Sequence, residues 1–300
     1  MKKLNYIKTI LLGLAVTASL SSCLKDKTYI DFSQGGVSAE LPLSGLNSFS
    51  ADAITVDTAI VSFGVNIASS KTPTTDSKIT VDVIPAKIAE YLKSNPAVQY
   101  ELMPTTAYTF KTTVVDIPAG QRLKILTFTV YKNKLDPSKS YMLPIGITSA
   151  PGLTISANNA LHYYHVIGND FAGVYKWDYT RYNASAPLAT PSGGSFTNGT
   201  VTISPVSPTQ FEVVTGYNTK EVKYEVTFKR NVDGTGKVTY SDFAVSMDPA
   251  TVKSVWTAGG VTQTQPPKIV SIDPVAKTFI FQYIANNGTA DRYIIDKYYK

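Results

Sequence analysis

From Ile54 the chain alternates apolar and polar positions. Ile54, Val56, Ala59, Val61, Phe63 and Val65 sit among Thr, Ser and Asn. Ile79, Val81 and Val83 alternate with Thr80 and Asp82, and Leu126, Phe128 and Val130 alternate with Thr127 and Thr129. A period of two marks strands with one face buried. Pro85 to Leu92 breaks the rhythm, placing Ile88, Ala89 and Leu92 on one face of a short helix that ends before Asn95-Pro96. Ile117-Pro118-Ala119-Gly120 reads as a turn. Tyr141-Met142-Leu143-Pro144-Ile145 reads as a strand whose proline predicts an edge or a bulge. Short strands separated by turn signals predict a β-sandwich, immunoglobulin-like in outline, over residues 51–167.

His162-Tyr163-Tyr164-His165-Val166-Ile167 is the expected last strand of that unit, and the boundary is placed near Gly168. Tyr175 to Tyr182 then opens a second alternating region, 168–300. A Ser/Pro/Gly/Thr stretch to Asn198 reads as a loop. Val222, Tyr224, Val226 and Phe228 alternate with Glu221, Lys223, Glu225, Thr227 and Lys229, so one face is apolar and the other charged. Such a strand belongs to an antiparallel sheet with one wet face. About eight short strands predict a calycin-like barrel or a sandwich, and the pattern leaves the two open. The expected fold class is all-β throughout.

The N-terminus carries a different pattern. Met1-Lys2-Lys3 and Lys8 precede an apolar run from Thr9 to Leu20, which has the layout of an export signal over residues 1–22. The run is short for a membrane-spanning helix, which needs about 20 apolar residues. Leu20-Ser21-Ser22-Cys23 resembles a bacterial lipobox. That resemblance implies cleavage before Cys23 and acylation of Cys23, the only cysteine of the chain. Two or more acyl chains give stable anchoring without a transmembrane segment, and an acylated Cys23 leaves no disulfide. An ordinary signal peptide with an incidental cysteine is the alternative. Residues 23–50 read as a tether and lead-in. The charged Lys25-Asp26-Lys27 loosely resembles the surface-export signal of Bacteroidota lipoproteins.

Charge then changes the picture of partners. The full-chain value of +6 rests on 28 Lys+Arg; without Lys2, Lys3 and Lys8 these fall to 25 against 22 Asp+Glu, or +3. The remaining basic residues are scattered, which argues against nucleic acid as a partner.

Glu101-Leu102-Met103-Pro104, Tyr108, Ile117-Pro118-Ala119-Gly120 and Tyr141-Met142-Leu143-Pro144-Ile145 recur in this order in one family. Over roughly Ser50 to Gly168 the chain resembles the N-terminal domain of unknown function of Bacteroidota surface lipoproteins. That domain also precedes the catalytic domain of some family 18 endo-β-N-acetylglucosaminidases. The resemblance implies membership of a polysaccharide-utilisation or host-glycan system. With the lipobox, it gives an expected lipid-anchored location at the outer membrane, on the cell surface or on the periplasmic face, with a TonB-linked importer as an expected partner. It also implies a second domain ending in an aromatic strand with an arginine, here Arg292.

Catalytic groups are scarce. His162 and His165, three apart on a strand, point to opposite faces and cannot share a metal. Glycoside hydrolysis needs two spaced carboxylates. The chain has six glutamates, and Glu221 and Glu225 lie on a plain amphipathic strand with Lys223 between them. The acidic run of family 18 glycosidases is absent. No catalytic residue, metal site or cofactor is therefore expected. Aromatics are plentiful, with 19 Tyr, 12 Phe and 2 Trp, and sugar faces stack on rings. Trp256, among glycines, is either a core plug or an exposed platform. Trp177 shares a strand face with Tyr175 and Tyr179, which favours core packing. Tyr182, at the loop, is a second platform candidate, with Asp178 and Asn183 as polar partners. The expected role is a non-catalytic surface lipoprotein that binds oligosaccharide; the alternative is an adhesin or structural protein-binding module.

Overall fold

The computed structural model describes residues 36–42, 49–50, 57–96 and 98–300. The signal peptide, Cys23, most of the lead-in to residue 50, and Ile54 and Val56 lie outside the described residues. Ten strands form the first part: β1 (Ser38–Glu40), β2 (Phe49–Ser50), β3 (Thr58–Ala68), β4 (Ser77–Val83), β5 (Glu101–Leu102), β6 (Thr113–Ile117), β7 (Leu123–Tyr131), β8 (Ser140–Ser149), β9 (Thr154–Ile155) and β10 (Leu161–Ile167). Helix α1 (Ala86–Ser94) lies between β4 and β5. One sheet runs β7-β3-β1-β9. The other runs β2-β10-β8-β4-β6, with β5 also paired to β8.

The two sheets face each other as a sandwich. Val65 and Ile67 of β3, Phe128 and Val130 of β7, Ile79 and Val81 of β4, and Leu143 and Ile145 of β8 meet between them. In β4 and β7 period two decides this, with Lys78, Thr80, Asp82, Thr127 and Thr129 on the opposite face, whereas β8 is buried on both faces. Phe63, Phe110, Phe128 and Tyr164 form an edge-to-face cluster at its centre. Three short pairs, β1–β9, β2–β10 and β5–β8, are parallel.

The proline of β8 corrects the sequence expectation. β8 is an inner strand between β10 and β4, and Pro144 pairs with Tyr163. Its carbonyl accepts from the Ile84 amide at 2.9 Å. In extended backbone the N–H and C=O of one residue face the same side. The donor that Pro144 lacks would therefore point where β4 has already ended, and no ladder bond is forfeited.

At the junction, the Gly168 amide donates to the Lys139 carbonyl at 2.9 Å. A side-chain carbon at Gly168 would lie 2.1 Å from that carbonyl oxygen and 2.6 Å from that of Pro137, so only glycine fits. Asn169 then closes the next hairpin. Its Nδ2 donates to the carbonyls of Ser207 and Gln210, and its Oδ1 accepts from the Phe171 amide.

Eight strands follow: β11 (Gly173–Tyr182), β12 (Phe196–Ser207), β13 (Gln210–Val214), β14 (Lys223–Val232), β15 (Val238–Met247), β16 (Thr262–Asp273), β17 (Thr278–Asn286) and β18 (Asp291–Tyr299). They form one antiparallel sheet in the order β15-β14-β13-β12-β11-β18-β17-β16. β15 and β16 approach each other without a backbone ladder, so the sheet is a nearly closed barrel. Closure leaves only that one seam to protect. The interior is aromatic: Tyr175 and Trp177 of β11, Tyr224 and Phe228 of β14, Phe279, Phe281 and Tyr283 of β17, and Tyr298 of β18 all point inward.

One charge sits inside this core. Asp296 of β18 alternates with Ile294 and Tyr298 and shares their inward face, with no exposed surface. Its Oδ1 accepts from Trp177 Nε1 at 2.9 Å and the Gly216 amide at 3.1 Å. Its Oδ2 accepts from Thr215 Oγ1 at 2.6 Å and the Tyr224 hydroxyl at 2.9 Å. Thr215 Oγ1 is in turn 2.7 Å from the Tyr283 hydroxyl. Burial pushes the Asp296 carboxyl up to about 6, while the four donors hold it down.

Candidate functional site

One end of the barrel opens into a cavity of about 590 Å³. Tyr179 and Arg181 reach it from the end of β11, and Asn183 from the loop that follows. Gly216, Tyr217, Asn218 and Lys220 come from the β13–β14 connection. Gly259 and Val261 precede β16, and Asn287 and Arg292 flank the β17–β18 turn.

The β13–β14 connection is held from below. Asp296 binds both Thr215 and Gly216, so the buried carboxylate fixes the backbone that forms the cavity wall. Gly216 lies on the Tyr179 ring so closely that a side-chain carbon there would come within 2.3 Å of it. Asn218 and Lys220 adopt left-handed backbone (φ 63° and 60°). Asparagine tolerates this conformation; for lysine it is unusual. Lys220 is then carried over the Phe196 ring, with Nζ 4.3 Å from the centroid.

Trp256 is not an exposed platform. It is wholly buried in the turn of π-helix Val252–Thr257, packed at 5.4 Å on Tyr283 and 6.1 Å from Tyr217. The adjoining glycines end that turn, with Gly260 at φ 72°, and the Val261 amide bonds back to the Trp256 carbonyl. The ring supports Tyr217 from behind. Trp177 is likewise core, 4 % exposed and bonded to Asp296. Tyr182 points to the outer side of the barrel against Tyr293, and Asp178 there accepts from the Asn198 amide and the Tyr299 hydroxyl. Of the five sequence candidates only Asn183 lines the cavity.

Electrostatically the cavity is one-sided. Arg181, Lys220 and Arg292 line it, and no acidic residue does. Arg181 donates to the Gly193 carbonyl, and its Nε is buried without a partner. Arg292 donates to the carbonyls of Ala290 and Asp291 at 3.2 and 3.0 Å. By contrast, Arg230 is paired with Asp170 at 2.7 Å. Burial raises the Tyr217 hydroxyl, while Arg292 and Arg181 nearby act in the opposite sense. Sequence reasoning missed this set because its members come from four separate connections. Two signals were available: Arg181, a charge on the expected strand beside the loop, and Arg292 on the last aromatic strand.

His162 and His165 lie in the sandwich, away from this cavity. His162 stacks on Tyr164 at 4.1 Å and His165 on Tyr100 at 5.6 Å. Burial lowers both to about 4. Among the described residues no group of three or more His, Cys, Asp or Glu side chains is placed to hold a metal ion. Among them, too, no helix is long and apolar enough to cross a membrane.

A family model described as a "-like, N-terminal domain" matches residues 26–154, the greater part of the sandwich. Over those residues the chain is similar to that domain family. No curated protein matches the chain. Solved structures that resemble it include a Bacteroides ovatus protein of unknown function (15 % identity, 88 % of this chain and 94 % of that one, TM-score 0.39). Another is an auxiliary nutrient binding protein of Bacteroides thetaiotaomicron (15 %, 80 % and 83 %, TM-score 0.34). A third is the EndoBT-3987 protein of the same genus, solved with a Man5GlcNAc product (20 %, 43 % and 30 %, TM-score 0.35). With TM-scores below 0.5, these three carry no argument about ligand or activity. Beyond the N-terminal domain family, the functional reading rests on the chain's own residues.

Proposed function

We propose that the chain is a non-catalytic glycan-binding surface lipoprotein whose barrel mouth makes the contact. The observation that carries this reading is the cavity itself. It is large enough for one or two sugar rings and is lined by side-chain amides and two tyrosines, without the paired carboxylates that glycoside hydrolysis needs. Amides both donate and accept, which suits hydroxyl groups. The barrel is fixed from inside by Asp296, so the cavity is preformed and binding costs little ordering.

Calorimetric titration of the mature chain against host and plant oligosaccharides tests the reading. The double variant Asn183→Ala/Asn218→Gly is expected to bind at least about tenfold more weakly, the loss of one or two hydrogen bonds. Its melting temperature should stay close to that of the wild type, because glycine tolerates the left-handed backbone at 218. Unchanged affinity in a folded variant would remove the mouth as the site.

The location follows from Cys23 on this reading: acylated, it holds the chain at the outer membrane beside a TonB-linked importer. Cys23→Ala is expected to shift the exported protein from the membrane to the soluble fraction. A variant that stays with the membrane would rule the anchor out.

A further inference from the structure

We infer that the sugar taken at the barrel mouth is anionic, carrying a carboxylate or a sulfate; this rests on the glycan reading above. Arg181, Arg292 and Lys220 converge on one cavity that no acid lines. An uncompensated cluster of like charge is unfavourable unless something neutralises it. None of the residues that line the cavity supplies a neutralising carboxylate. Arg181 and Arg292 use part of their donor sets on backbone carbonyls, which leaves charge and N–H groups unspent.

The shape of these groups fits the ligand class. Guanidinium groups present planar donor pairs that match carboxylate and sulfate oxygens, and such charge-assisted bonds are the strong ones. Both arginines line the same cavity as Tyr217. Lys220, carried on left-handed backbone over Phe196, adds a third positive charge at the rim. Asn183, Asn218 and Asn287 surround the cations with groups suited to hydroxyls. An oxyanion between the arginines and a sugar ring under the amides would use every polar group that the cavity offers.

The test is calorimetric titration of the mature chain with three oligosaccharide classes: uronic-acid-containing, sulfated and neutral. Binding is expected for one anionic class at least tenfold tighter than for neutral sugars, weakening as salt rises from 50 to 500 mM. The two anionic arms separate carboxylate from sulfate. Arg181→Gln/Arg292→Gln is expected to bring the anionic and neutral affinities to within about twofold of each other. If that variant does not fold, Lys220→Gln with the salt series replaces it, and a lowered salt dependence is expected. Neutral sugars binding as tightly as anionic ones would overturn the inference and leave the glycan reading standing. No saccharide of any class binding at millimolar concentration would overturn both.

Discussion

Asp296→Ala is expected to destabilise the protein by about 4 kcal/mol or more, as unfolding by urea would report. The change leaves three buried donors, from Trp177, Gly216 and Tyr224, with no acceptor, while Thr215 keeps the Tyr283 hydroxyl. Each such orphan costs about 1–3 kcal/mol. Asp296→Asn should cost less, about 1–2 kcal/mol, because the two sides of the carboxylate differ. Trp177 Nε1 and the Gly216 amide can only donate, so Asn Oδ1 must face them. The other side meets two hydroxyls, Thr215 and Tyr224, which can turn to accept from the amide nitrogen. A cost for Asp296→Ala below about 1 kcal/mol would show that the network is incidental.

The same group carries a pH signature. Burial raises Asp296 from 3.8 to about 6. Between those values the folded chain keeps a proton that the unfolded chain has lost. Its contribution to stability therefore falls as pH rises through that interval, by about 3 kcal/mol in all, and is constant above it. His162 and His165, lowered to about 4 by burial, give the opposite slope between about 4 and 6.5. Wild type and Asp296→Asn share those histidines, so the difference between their stability profiles isolates the carboxyl. That difference should shrink in the wild type's disfavour from pH 4 to 6. Parallel profiles would mean that Asp296 does not titrate there.

Gly216→Ala is expected to cost about 3 kcal/mol, the upper end for overpacking a filled core. The added carbon would meet Cγ and Cδ2 of Tyr179 at 2.3 Å. That ring is 2 % exposed and set against Phe196, so it has nowhere to go. The backbone must move instead, lengthening the Gly216–Asp296 bond and displacing Tyr217 from the cavity wall. Ligand affinity should therefore fall with stability, whereas Asn183→Ala/Asn218→Gly should lower affinity alone. A Gly216→Ala protein as stable as the wild type would show that Tyr179 yields.

Much of the fold was legible because period two is a local property. Val222 to Phe228 and Leu126 to Val130 announce half-buried strands on any sheet, and the turn at Ile117–Gly120 and the helix near Ile88 follow from local chemistry. Pro144 misled because its cost depends on which neighbour faces its missing N–H, and that is set by where β4 ends. Trp256 misled for a similar reason: glycine neighbours are compatible with a loop tip or with a buried turn. Asp296 was readable in principle, since it alternates with Ile294 and Tyr298.

The all-β class, the strand positions and the resemblance to an N-terminal domain family were legible locally, because alternation, turn residues and motif order are written within a few residues of one another. Only the tertiary structure decided that the second sheet nearly closes into a barrel, that Trp256 is core, and that Arg181, Lys220 and Arg292 share one cavity without an acid. Those facts depend on pairing between strands more than a hundred residues apart, as where Lys176 meets Tyr299. The physical reason is that closure brings the connections at one end of the barrel together, and no local pattern records which connections those will be.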